Sequence, residues 1–120
     1  MQVDESQEVK ALREELRAYF AKVMTPEVKE GCHAKESGQV YRDAVRQIGK
    51  DGWLAIGWPK EYGGQGRGQA EQLALLEEAY IAGAPIPFVT LGTVGPALME
   101  HGSEEMKQFY LPKIAGGEIH

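Results

Sequence analysis

The chain has 120 residues, 42% hydrophobic and 26% charged, the size and composition of one folded domain with a single core rather than a disordered segment or a membrane protein. Its 13 Lys and Arg against 18 Asp and Glu leave a formal net charge of -5, and without a block of basic residues it offers nucleic acid and anionic membranes no electrostatic surface. Cys32 is the only cysteine, which excludes an intramolecular disulfide and a thiolate metal cage, and the lack of a signal-like start or a ~20-residue apolar run predicts a cytoplasmic protein without membrane insertion.

From Asp4 to about Met24, the residues Val9, Leu12, Leu16, Tyr19 or Phe20, and Val23 recur at spacings of three and four, which predicts an amphipathic first helix. Asp4 can cap it, with Gln7 in the capping-box position and Glu5 and Glu8 at the positive end of the helix dipole. Thr25-Pro26-Glu27 reads as a new start, Thr25 as cap and Pro26 in the first helical position, and Gly31 is expected to end that short turn. After a polar stretch from Cys32 to Gly38, Tyr41, Val45 and Ile48 predict a helix at about 39 to 51. Gly52 to Pro59 is apolar but too short for a helix and fits either a buried loop or a short strand. Gly63, Gly64, Gly66 and Gly68 make the next segment a shaped loop.

From Gln69 to about Ala82, Leu73, Leu76, Ala79 and Tyr80 predict another helix, with Glu71, Glu77 and Glu78 toward water and Gly83 as terminator. Pro85 and Pro87 force a turn. Helical spacing returns from Phe88 to His101 through Leu91, Val94, Leu98 and Met99, and Gly102 stops it. Ser103-Glu104-Glu105 opens a last helix with Met106, Phe109 and Tyr110 as apolar positions, which Pro112 should bend or end before Gly116-Gly117. Strand patterns are nearly absent, so the expected fold is all-α, an orthogonal bundle of about five to six helices in a single domain over residues 1–120.

The chemistry of sites is sparse. A Gly-rich loop ahead of a helix can cradle phosphate, but Gly68 is followed by Gln69-Ala70-Glu71 rather than by Lys-Ser/Thr, and no βαβ unit surrounds it, so a structural role is the stronger reading. His33, His101 and His120 lack the spacing of a metal site, and no catalytic elbow or Cys-His pairing beyond the adjacent Cys32-His33 occurs. The acidic pairs Glu14-Glu15, Glu77-Glu78 and Glu104-Glu105 are expected to be solvated on helix exteriors. The unusual feature is Leu91-Gly92-Thr93-Val94-Gly95-Pro96 within a helical pattern, because Gly costs ~1 kcal/mol and Pro ~3 kcal/mol relative to Ala in a helix interior. Either a neighbouring helix or a bound apolar chain could fill the groove that such small residues leave; the residues alone favour helix packing.

Three stretches taken in order carry a family resemblance: Gly52-Trp53-Leu54-Ala55-Ile56, Trp58 through Gly66, and Leu75-Leu76-Glu77-Glu78-Ala79. Together with Gly102 to Lys107 and Tyr110 to Glu118, they resemble the N-terminal helical domain of acyl-CoA dehydrogenases over about residues 5 to 120. The resemblance implies a parent with a middle β-domain and a C-terminal helical domain absent from this sequence, with FAD and acyl-CoA bound where the three domains meet. In that chemistry a carboxylate base takes the α-proton of an acyl thioester and hydride passes from the β-carbon to flavin, giving a 2-enoyl-CoA. The base and most flavin contacts would belong to the other domains, so the resemblance assigns this chain no catalytic, cofactor-binding or metal-binding residue and implies that the fragment alone is inactive.

The family places the acyl tail against the helix corresponding to residues 88 to 100, which implies a substrate-binding role for Phe88, Val89, Gly92, Thr93 and Pro96. Ala84 through Leu91 also resembles a bacterial subgroup acting on bulky or steroid-derived acyl-CoAs. An electron-transfer acceptor and an oligomeric state come with the family. The alternative is a stand-alone helical interaction module without catalysis, which fold alone does not separate from the first.

Overall fold

A computed structural model describes residues 6–34, 38–87 and 89–118 and shows an all-α chain with no strand among them. Six α-helices follow in order: α1 (Gln7–Val23), α2 (Pro26–Ala34), α3 (Gln39–Lys50), α4 (Gln69–Ala82), α5 (Gly95–His101) and α6 (Glu104–Ala115). A 3-10 turn at Lys60–Tyr62 lies between α3 and α4, and a π-helical turn at Thr90–Val94 leads into α5. The whole is a slab of 41 × 41 × 23 Å.

Helix α1 buries Val9, Leu12, Leu16 and Phe20, the stripe expected from the 3.6-residue period. Its cap is Ser6, whose hydroxyl accepts from the Val9 amide at 3.2 Å; the proposed cap Asp4 lies outside the described residues. Helix α2 begins at Pro26 with Thr25 Oγ1 accepting from the Val28 amide, as expected, but it runs through Gly31 to Ala34. Gly31 is kept for space: a Cβ there would stand 2.7 Å from Val40 Cγ1 on α3. The segment Leu54–Ile56 with Trp58 proves to be a buried series of turns. Gln72 of α4 holds it, accepting from the Gly57 amide at 2.7 Å and donating to the Leu54 carbonyl at 3.2 Å.

Two helix faces differ from expectation. On α4 the buried set is Ala74, Leu75, Glu78 and Ala79, while Leu73 and Tyr80 point to solvent. Glu78, expected in water, is 3% exposed because α1 brings Arg13 and Arg17 to it. Its Oε1 stands 3.4 Å from Arg13 Nη1 and 3.0 Å from Arg17 Nη2, so the carboxylate loses water but gains two charge-assisted partners. On α6 the buried residues are Leu111, Ile114 and Ala115, and Met106, Phe109 and Tyr110 are exposed. The helix passes through Pro112 and ends at Ala115, before Gly116-Gly117 as expected.

Candidate functional site

The segment between α4 and α5 starts with Gly83 in the left-handed region, φ +73°, where its amide donates to the Tyr80 carbonyl and the chain turns sharply out of α4. Ala84 to Pro87 then has no regular secondary structure, with Pro85 and Ile86 buried, and the π turn at Thr90–Val94 lies beyond it. Between this segment and α2 lies a cleft of about 830 Å³. Its apolar wall is Ala84, Pro85, Ile86, Pro87 and Val89; Lys29, Cys32 and His33 from α2, Tyr41 from α3, Tyr80 from α4 and Thr90 complete it. The Cys32 thiol is buried and pushed above its ordinary value by that burial.

Of the five residues implied by the resemblance, Val89 lines the cleft and is 69% exposed. Gly92, Thr93 and Pro96 lie on the exposed side of the π turn and the start of α5. Phe88 lies outside the described residues. The two glycines of the unusual motif divide the two readings of it. A Cβ on Gly95 would overlap the Trp58 ring, at 2.5 Å from Cη2, so this glycine serves packing. Among the described residues, a Cβ on Gly92 would meet nothing within 4 Å, so its face is open to that extent. The π turn also accommodates Pro96: the Gly95 amide donates to the Thr90 carbonyl five residues back, and the next residue has no amide to place.

The Gly-rich loop does not fit a flavin diphosphate. Four of its amides are spent inside the loop: Gly63 donates to the Lys60 carbonyl, Gly64 to Pro59, Gly66 to Trp58 and Arg67 to Ile56, all within 3.1 Å. The loop fixes the turns that carry Trp58 under Gly95, and thus sets the height of the π turn. No group of three or more metal-ligating side chains occurs among the described residues, and no described helix is long and apolar enough to cross a membrane. Sequence reasoning missed Lys29, His33 and Tyr41 as cleft residues, because nothing in local spacing says that α2 and α3 meet the segment after α4.

The sequence matches the family described as acyl-CoA dehydrogenase, N-terminal domain, over residues 6–118. Among curated proteins of Mycobacterium tuberculosis, acyl-CoA dehydrogenase FadE26 is 49% identical across the whole chain and FadE29 is 43% identical, each aligned over 31% of its own length. Among solved structures, the ChsE4-ChsE5 complex from Mycobacterium tuberculosis superposes with a TM-score of 0.89 at 52% identity, covering all of this chain and 31% of that one. The Tcur3481-Tcur3483 steroid ACAD gives 0.87 at 48% identity, covering 99% of this chain and 31% of that one. The chain thus spans about a third of the length of these relatives.

Proposed function

We propose, since the chain belongs to the acyl-CoA dehydrogenase family and forms its N-terminal domain, that it supplies one wall of the acyl pocket in an FAD-dependent enzyme oxidising acyl-CoA to 2-enoyl-CoA. The carrying observation is the face of Gly92, near the exposed Val89, where an apolar chain can lie against the backbone with no described side chain in the way. Val89, Gly92, Thr93 and Pro96, with Phe88, bind and orient the acyl tail and exclude water from it. The base and most flavin contacts belong to a middle β-domain and a C-terminal helical domain, so the isolated chain is expected to be inactive and to hold no FAD. The named relatives that are steroid enzymes or two-chain complexes support a bulky, steroid-derived acyl-CoA as substrate and an oligomeric enzyme, which we place in the cytoplasm.

The test is flavin absorbance and acyl-CoA-dependent dye reduction by the parent protein and by the 120-residue chain alone. Flavin and turnover confined to the parent are the expected result. A flavin-free, inactive parent would overturn the proposal in favour of a helical interaction module.

A further inference from the structure

Trp58 is pinned in the buried turns and meets, at its far edge, the turn that carries Gly92. Its amide donates to the Ala55 carbonyl at 3.0 Å, and its carbonyl accepts from the Gly66 amide at 2.8 Å. Gly64 lies so close that a Cβ there would collide with the Trp58 carbonyl and stand 2.6 Å from the Trp58 Cβ. One residue earlier, the Gly57 amide donates to Gln72 Oε1 at 2.7 Å, which ties this seat to α4. Trp58 is 7% exposed, and Cζ2 and Cη2 of its ring fill the space that a side chain at Gly95 would need. On the other side of that contact, the Gly95 amide donates to the Thr90 carbonyl and closes Thr90 to Gly95 into one wide turn, whose entry is anchored by the buried Leu91. Gly92 and Thr93 lie within this closed turn on its exposed side, so a displacement at Gly95 passes to them instead of dissipating in a loop.

We propose that Trp58, acting through Gly95, is a positioning residue for the acyl wall: the seat of its indole sets how far Gly92 and Thr93 reach toward the acyl group, and so the breadth of group accepted. The proposal rests on the reading of Gly92 and Thr93 as acyl wall, and adds to it a buried residue that touches no substrate. A methyl on Gly95 would be 2.5 Å from Cη2, roughly one ångström inside ordinary carbon–carbon contact, and with the indole pinned the turn moves outward. A misplacement on that scale, made away from the chemistry, can cost about 100-fold in rate.

The experiment uses the full-length enzyme and measures kcat/KM, normalised to bound flavin, for a broad steroid side-chain acyl-CoA and for slim octanoyl-CoA. G95A is expected to lower the ratio of broad over slim substrate about tenfold, mostly through KM. Phenylalanine's shorter ring lacks the edge that meets Gly95, so W58F lowers the seat and raises the ratio, and G95A/W58F returns it to within about twofold of wild type. Loss of folded protein alone lowers both substrates together and leaves the ratio where it was. A ratio unchanged in either folded single variant, or a double variant no nearer to wild type than G95A, would overturn the proposal. G92L, which puts a side chain directly on the wall, separates that failure from failure of the underlying reading. A ratio moved by G92L alone keeps the acyl wall and removes the control by Trp58. A ratio that G92L does not move, or a wild-type enzyme with neither flavin nor turnover, removes the wall and the proposal with it.

Discussion

Substituting Gly95 with Ala puts a methyl group into the Trp58 ring, and the structure allows the cost to be bounded. The added Cβ would be 2.5 Å from Cη2, about an ångström inside ordinary contact. The indole is poorly placed to withdraw, because Trp58 donates its amide to Ala55 and accepts from Gly66, and its carbonyl lies against Gly64. Expelling the ring would forfeit about 4–6 kcal/mol of aromatic burial at ~25 cal/mol per Å², so a shift of α5 is the cheaper response, at about 1–3 kcal/mol. The gain in helix propensity from Gly to Ala offsets up to ~1 kcal/mol. Net destabilisation of about 2 kcal/mol is expected, a fall in Tm of roughly 8 °C. Gly92→Ala is the internal control: with none of the described residues within 4 Å of the added Cβ, it should be neutral or stabilise by up to ~1 kcal/mol. Thermal melting followed by far-ultraviolet circular dichroism measures both. Equal melting temperatures for the two variants would refute the assignment of packing to Gly95 and openness to Gly92.

Glu78→Ala removes the buried carboxylate that Arg13 and Arg17 share and should cost about 1–3 kcal/mol by urea unfolding, whereas Glu77→Ala, at the exposed end of the same cluster, should cost under ~1 kcal/mol. Tyr19 donates to Asp51 at 2.6 Å; burial first and then this carboxylate hold its phenol above the ordinary value of 10.0, while Gln47 and Tyr19 hold Asp51 below 3.8. The phenol's contribution is therefore complete below pH 10.0 and lost as pH rises through its folded value; that of Asp51 is complete above pH 3.8 and lost as pH falls through its folded value. Tyr19→Phe should flatten both limbs of a plot of urea midpoint against pH, and unchanged limbs would count against the pair. Cys32, buried with a raised thiol, should react with iodoacetamide at pH 8 many times more slowly than in urea, and equal rates would contradict its burial.

How far the sequence could be read depended on whether the deciding contact was local. Helix α1 was legible because Val9, Leu12, Leu16 and Phe20 form one stripe on an otherwise polar cylinder. On α4 apolar residues occur all round, so period alone could not choose a face; the face was set by Arg13 and Arg17, more than 60 residues away, which make a buried Glu78 tolerable. On α6 the large side chains Phe109 and Tyr110 suggested the core, but the structure buries Ala115 and lets Gly116 pack against Gly49, a contact that only small residues permit. The six-residue motif from Leu91 to Pro96 announced an exception to helical chemistry, and local reasoning named the two possible causes. Which glycine answers to which cause depends on where the turns from Leu54 to Trp58 bring the indole, information that lies outside the motif.

The π turn at Thr90–Val94 bears on how the helix around it could have tolerated a change in length. One residue more or less in an α-helix rotates everything beyond it by about 100°, enough to swing a buried stripe into solvent. A wider turn absorbs one residue without that rotation. Leu91 and Gly95 therefore stay buried on the inward side, and Leu98 and Met99 still pack against the core beyond them. The turn acts as a slip in register that confines a length change to one short stretch, so residues on its exposed side can vary in number while the anchoring of α5 to α6 remains in phase.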